Sequence, residues 1–334
     1  MTVAPIVLTC GEPASIAPEI TAKAWQTLRY DVKNCFFMIG DAQDFYARTD
    51  ISELGIPVVQ ITDPAHAVEV FGTALPVLDI RMPKPSRAAW IDTRNSQYVI
   101  DVIKLAADFC LKGLSSAMVT NPIQKDALYA VGFRHQGHTD FLASLVATAE
   151  EPIHEVMMLV ADGLRAVPIT VHIPLSQVPS SLTTEAIVAQ GRVVAQALEK
   201  WFGIHNPRLC VTGLNPHAGE NGAMGHEDEA IIAPAVAQLR GWGISVQGPV
   251  PADTAFHAEA RAGYDAILCM YHDQALIPVK TLDFHGGVNV TLGLPFIRTS
   301  PDHGTALGLA GTGTARADSL IAAIKLAADM AAHT

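Results

Sequence analysis

Three of the thirteen histidines stand in matching contexts, each at the end of an apolar run and beside turn residues. His172 lies in Ile-Thr-Val-His-Ile-Pro-Leu, His217 in Gly-Leu-Asn-Pro-His-Ala-Gly-Glu and His272 in Met-Tyr-His-Asp-Gln. The apolar runs read as buried strands, so each imidazole is expected just past a strand's carboxyl end. In an open α/β sheet that edge is where ligands bind. Imidazole is the commonest metal ligand, and three of them leave positions on a divalent ion for a substrate. One such histidine alone would read as an ordinary loop residue; three together point to a metal site.

Other segments could bind anions. Gly11-Glu12-Pro13-Ala14-Ser15-Ile16-Ala17-Pro18-Glu19 links a strand to a helix and points backbone N–H groups at the same sheet edge. Thr120-Asn121-Pro122-Ile123-Gln124-Lys125 reads as a strand end with Pro122 at a first helical position. Gly137-His138-Thr139-Asp140 offers Thr139 as a helix cap. Together these supply small polar groups and a cation, enough to hold a phosphate. Lys280, Asn289 and Arg298 recur at nine-residue steps, which is not helical periodicity, and by spacing alone they read as solvated surface. Ser300 to Gly313 is rich in glycine but lacks the βαβ frame of a dinucleotide fingerprint.

The elements that must carry these residues alternate. Strands are expected at Val3–Thr9, Cys35–Ile39, Ala117–Thr120, Leu209–Gly213, Ala266–Met270 and Val288–Thr291. Helices are expected at Ala17–Leu28, Ser96–Leu111, Thr184–Trp201, Glu227–Leu239 and Ala315–Ala332. Such alternation predicts an α/β chain with a mostly parallel sheet covered on both faces. Arg81–Ser86 reads as a linker or excursion. With 334 residues, 49% hydrophobic and 16% charged, the chain can build a large core, and two lobes are expected. A net charge of −11 argues against a nucleic-acid partner. No apolar run is long enough for a membrane span, the first ten residues do not read as a signal peptide, and five scattered cysteines suit a cytoplasmic protein.

Taken together, the sequence resembles the 4-hydroxythreonine-4-phosphate dehydrogenase family of pyridoxal phosphate biosynthesis. The resemblance runs through nearly the whole chain and is most specific in Gly-Leu-Asn-Pro-His-Ala-Gly-Glu, Tyr-His-Asp-Gln-Ala-Leu-Ile-Pro-Val-Lys and Ser-Pro-Asp-His-Gly-Thr-Ala. It implies a two-lobed fold of the isocitrate/isopropylmalate dehydrogenase type with the active site in a cleft between lobes, residues 1–125 plus 290–334 forming one and 126–289 the other. It further implies a homodimer, NAD or NADP as cofactor, and one divalent ion (Zn, Mg or Co) on His172, His217 and His272. The phosphorylated hydroxy-amino-acid substrate would be held by His138, Thr139, Lys280, Asn289 and Arg298. Lys280, Asp253 or Asp273 would move protons, and Gly304, Thr305, Gly308 and Gly311 would contact the nucleotide. The chain departs from the family in its first turn, where Ser15 and Ala17 replace usual glycines. If those positions need positive φ, each costs about 1 kcal/mol or more; if they only leave room, the change is mild.

Other functions fit some of these features. Sister branches of the family oxidise 4-phospho-erythronate or -threonate, or aromatic cis-dihydrodiols, which have no phosphate to bind. A metal-dependent phosphatase or lyase would use the same anion site without NAD.

Overall fold

The computed structural model describes residues 4–147 and 153–334; Val3, expected to open the first strand, lies outside them. The chain divides into two compact units, Met1–Ile153 with Leu294–Ala332, and His154–Gly293 with His333–Thr334. The helices Lys125–Tyr129 and His138–Val146 therefore fall in the first unit, where the sequence expectation had begun the second at residue 126.

The first unit carries β1 (Ile6–Thr9), β2 (Phe36–Gly40), β3 (Val58–Ile61), β4 (Leu75–Asp79) and β5 (Met118–Thr120). The second carries β6 (Val156–Ala161), β7 (Leu164–Thr170), β8 (Arg208–Thr212), β9 (Ser245–Val250), β10 (Ala266–Tyr271) and β11 (Val288–Leu292); β12 (Arg298–Pro301) returns to the first. In the first unit the strand order is β3-β4-β2-β1-β5-β12 with every pair parallel. Parallel pairing needs crossover helices, and these lie where the apolar periodicity put them: α1 at Ala17–Leu28 and a long helix at Ser96–Leu111, both as expected. Trp25 of α1 is fully buried and its indole N–H donates to Phe71 O at 2.9 Å, so the largest core side chain leaves no orphan donor.

The second unit keeps the expected mostly parallel pairing except at two neighbouring strand pairs. Its order is β11-β6-β7-β10-β8-β9, and β11–β6 and β6–β7 are antiparallel. The cause is local: Asp162 and Gly163, both at positive φ, turn β6 directly back into β7. The remaining pairs, β7–β10–β8–β9, are parallel. Their core gathers Leu159, Ala166, Cys210, Ile267, Cys269 and Val279, all essentially buried. Among the described residues no helix is long and apolar enough to cross a membrane.

Several local expectations shift. The closing helix runs Asp318–Ala331, starting later than Ala315. The helix expected from Glu227 opens as a π-helical turn, Asp228–Ile232, and becomes α-helical only at Ala233–Gly241. The Arg81–Ser86 excursion is anchored, not free: Ser86 N and Oγ both donate to the carboxylate of Asp44, at 2.6 and 2.7 Å, on the helix Ala42–Ile51 (α2).

Candidate functional site

The turn after β1 is held from both sides. Gly11 has φ +68, and a Cβ there would stand 2.6 Å from Asn121 Cβ and 2.7 Å from Pro122 O, so this glycine is required twice over. Ser15 and Ala17 are not among the positive-φ residues. Ser15 instead works for the turn: its Oγ donates to Glu12 O at 2.6 Å and accepts from Ala17 N at 3.0 Å, capping the start of α1. Behind it Arg48, 1% exposed, donates to the carbonyls of Pro13 and Ser15.

A cationic cradle lies elsewhere in the same unit. Arg298, read from spacing as surface, is 3% exposed; it opens β12 and donates to Thr120 Oγ1 at 2.6 Å. Burial pushes its guanidinium down to about 9, the direction expected when a cation is stripped of water. Pro122 is not at a first helical position, because the short helix begins at Lys125. Lys125 Nζ lies 3.9 Å from where a Cβ on Gly137 would stand, at the start of the helix His138–Val146. Thr139 is inside that helix; Gly137 occupies the cap position. The His138 imidazole is driven well below its usual range, first by burial and then by the charges of Arg298 and Lys125. It stays neutral, and its Nε2 is sealed from solvent with no hydrogen-bond partner. Two cations beside an unsatisfied buried imidazole are what an anion would complete.

The three histidines belong to the second unit. Their strands, β7, β10 and β8, are adjacent and parallel, so their carboxyl ends share one edge, roughly 4.8 Å apart per strand. His172 follows β7 by two residues and His272 directly follows β10; their ring centroids are 5.8 Å apart. His272 Nδ1 is 2.7 Å from Asp273 Oδ1, a contact that orients the ring. His217 sits farther out, in a turn where His217, Ala218, Gly219, Glu220, Asn221 and Gly222 all have positive φ. Such left-handed backbone costs about 1–2 kcal/mol per non-glycine residue and persists only when its surroundings impose it. The constraint is Asp228, 1% exposed, which accepts from Leu214 N at 2.9 Å, Asn215 N at 3.2 Å and Asn215 Nδ2 at 2.9 Å.

Gln274 ties the middle strand to its neighbour. Its buried Oε1 accepts from Met270 N at 2.6 Å and Thr212 Oγ1 at 2.7 Å, and its Nε2 donates to Gly213 O at 2.9 Å. The donor types and their shared edge suit a divalent ion. His172 and His272 approach each other, while His217 is not drawn in with them: among the described residues no three His, Cys, Asp or Glu side chains are grouped to hold a metal.

The remaining predicted residues are spread. Lys280 lies in the helix His272–Leu282 with its Nζ 5.4 Å from the Phe284 ring, and Asn289 lies in β11 with Oδ1 buried and unpartnered. Asp253 and Asp273 are exposed. In the glycine-rich segment Thr305 Oγ1 donates to Gln124 Oε1 at 2.9 Å, and the amide of Gly311 is already taken by Glu19. Gly304 and Gly308 face open space. Sequence reasoning passed over Asp228, Gln274 and Glu19 because a buried carboxylate or amide leaves no periodic signature. Asp228 and Gln274 do lie in, or just after, motifs that had drawn notice for their histidines.

The chain matches, over residues 32–327, the family described as pyridoxal phosphate biosynthetic protein PdxA. It is 53% identical to a 4-hydroxythreonine-4-phosphate dehydrogenase of Caulobacter vibrioides, covering 100% of this chain and 99% of the relative. The chain belongs to the PdxA family. A 4-hydroxythreonine-4-phosphate dehydrogenase structure from Klebsiella pneumoniae superposes with TM-score 0.86 at 36% identity, covering 98% of this chain and 99% of that one. A terephthalate 1,2-cis-dihydrodiol dehydrogenase from Burkholderia xenovorans superposes less well, with TM-score 0.66 at 25% identity and 98% of both chains covered. Family membership makes this chain an oxidoreductase tied to pyridoxal phosphate biosynthesis, and a dehydrogenase family points to a nicotinamide cofactor.

Proposed function

We propose that this enzyme oxidises 4-phosphooxy-L-threonine with NAD or NADP, in a divalent-metal-dependent step, to a 2-amino-3-oxo acid that loses CO₂ to give 3-amino-2-oxopropyl phosphate. The observation that carries the reading is the cradle of Arg298 and Lys125 around neutral His138. A phosphate bound there would accept from His138 Nε2 in its Nε2–H tautomer and place negative charge beside the two cations. In this reading Thr139, Lys280 and Asn289 complete the substrate contacts, and the orphaned Asn289 Oδ1 would take a donor from the substrate.

His172, His217 and His272 are the residues that would hold a divalent ion (Zn, Mg or Co), which would supply Lewis-acid chemistry at the substrate hydroxyl, and a bound nicotinamide would supply the hydride acceptor. The chain's own residues supply the rest. Holding the phosphate fixes the reacting carbon, which is worth several kcal/mol of orientation. Lys280, Asp253 and Asp273 are the candidates to carry protons to and from the substrate. The outward side of the glycine-rich segment, at Gly304, Thr305 and Gly308, would receive the nucleotide; Gly311 would act from behind. A homodimer and a cytoplasmic setting complete the proposal. The first rests on the family likeness, the second on five free thiols.

The test is NADH formation at 340 nm across phosphorylated four-carbon hydroxy acids, an aromatic cis-dihydrodiol, and phosphate release without NAD. Arg298→Ala should raise KM for the phosphorylated substrate about 10- to 150-fold, the worth of a charge-assisted hydrogen bond, with nucleotide binding unchanged. An unchanged KM, or turnover of a dihydrodiol alone, would remove the phosphate reading. Sedimentation equilibrium tests the dimer, and a monomer at assay concentration refutes it.

A further inference from the structure

The segment between β12 and the helix Asp318–Ala331, residues 302–317, is longer than most connections and holds only the short helical turn Leu307–Leu309. Ordering each of its residues costs about 1–2 kcal/mol of backbone entropy, so something must hold it. One turn of α1 does. Glu19, 0% exposed, accepts the amide of Gly311 at Oε1 and that of Gly313 at Oε2, the latter at 3.0 Å. Four residues on, Lys23 Nζ donates to Gly313 O at 2.7 Å and Ala315 O at 2.6 Å. A carboxylate thus reads the donors and an ammonium the acceptors of one short stretch of backbone.

The glycines divide accordingly. Gly311 has φ +83 and a Cβ there would meet Ala88 Cβ at 2.7 Å, so the inward side of the segment needs it. Gly304 and Gly308 have ordinary φ and nothing within 4 Å of an added Cβ, so nothing around them in the fold demands glycine there. Glycines that the fold does not require suit a place where backbone meets ligand.

We infer that Glu19 and Lys23 are positioning residues for the nicotinamide nucleotide, clamping the inner side of the segment so that its outer side at Gly304 and Gly308 is preformed. The inference rests on the nucleotide reading of this segment given above. Clamping in advance removes ordering entropy from the binding step, so the gain appears as nucleotide affinity.

The experiment measures NADH binding by fluorescence, together with KM for NAD and for the phosphorylated substrate, on the full-length enzyme well below its Tm. Glu19→Gln and Lys23→Met should each weaken NADH about tenfold and raise KM for NAD, with KM for the phosphorylated substrate unmoved. Lys23→Arg should recover most of the loss. Gly308→Trp, which fills the outer side without touching the clamp, should also lose NADH. A clamp that is merely structural would lower Tm and leave NADH affinity intact; with Gly308→Trp still impaired, that result overturns the inference and spares the nucleotide reading. Full NADH affinity in Gly308→Trp overturns both. If Glu19→Gln does not fold, the half-buried Lys23 carries the test through Met and Arg.

Discussion

The turn after β1 and the turn after β8 both follow buried parallel strands and both carry glycine-containing motifs, yet they keep their shapes by different means. In the first, Gly11 is at positive φ, and Ser15 and Ala17 sit in ordinary backbone where the hydroxyl adds a cap. In the second, His217 to Gly222 run through a continuous left-handed turn, held against its own preference by Asp228. The glycines that Ser15 and Ala17 replace in the first turn would only leave room, so their replacement costs little. The second spends backbone strain to present a histidine, and it tolerates that strain because a buried carboxylate pins the preceding Leu214 and Asn215.

The largest effect should come from the strained turn itself. His217→Ala is expected to abolish turnover with the fold retained, metal content by elemental analysis falling together with NADH formation. A fully active variant that keeps its metal would detach the turn from the chemistry. Next, Asp228→Ala strands two backbone amides and leaves Asn215 Nδ2 with Glu227 alone, so a loss of about 3 kcal/mol in urea unfolding is expected, with activity falling further than stability explains. If activity tracks stability alone, the carboxylate holds the fold and not the presentation of His217.

Gly11→Ala probes the first turn at its one demanding position. Its Cβ would collide with Asn121 and Pro122 O at positive φ, and about 2–4 kcal/mol of destabilisation is expected. Ser15→Gly, which restores the family's usual residue, should cost only about 1 kcal/mol, through loss of the Oγ cap and added chain entropy, with KM values unchanged. A gain in stability from Ser15→Gly would show that the serine is strained after all and would erase the contrast between the turns.

Much of the frame was legible in the chain. Periodic apolar spacing gave α1 and the helix Ser96–Leu111 their observed bounds, because amphipathic helices announce a buried face every three or four residues. β6 and β9 went unmarked, and β7 was marked only by the run that leads to His172: such runs carry no period that separates a buried strand from a buried helix segment. The antiparallel return of β6 into β7 was missed for the same reason.

From the sequence alone came the α/β class, the family resemblance, and the placement of His172, His217 and His272 past strand ends, since residue type and neighbours suffice for those. Tertiary structure decided what letters cannot encode. It put Arg298 in the interior beside His138, joined Glu19 to Gly311 across most of the chain length, set Asp228 under the His217 turn, and left Ser15 unstrained. Those outcomes depend on burial and on φ at single residues. Both are set by which distant segments pack together, and no local pattern records that.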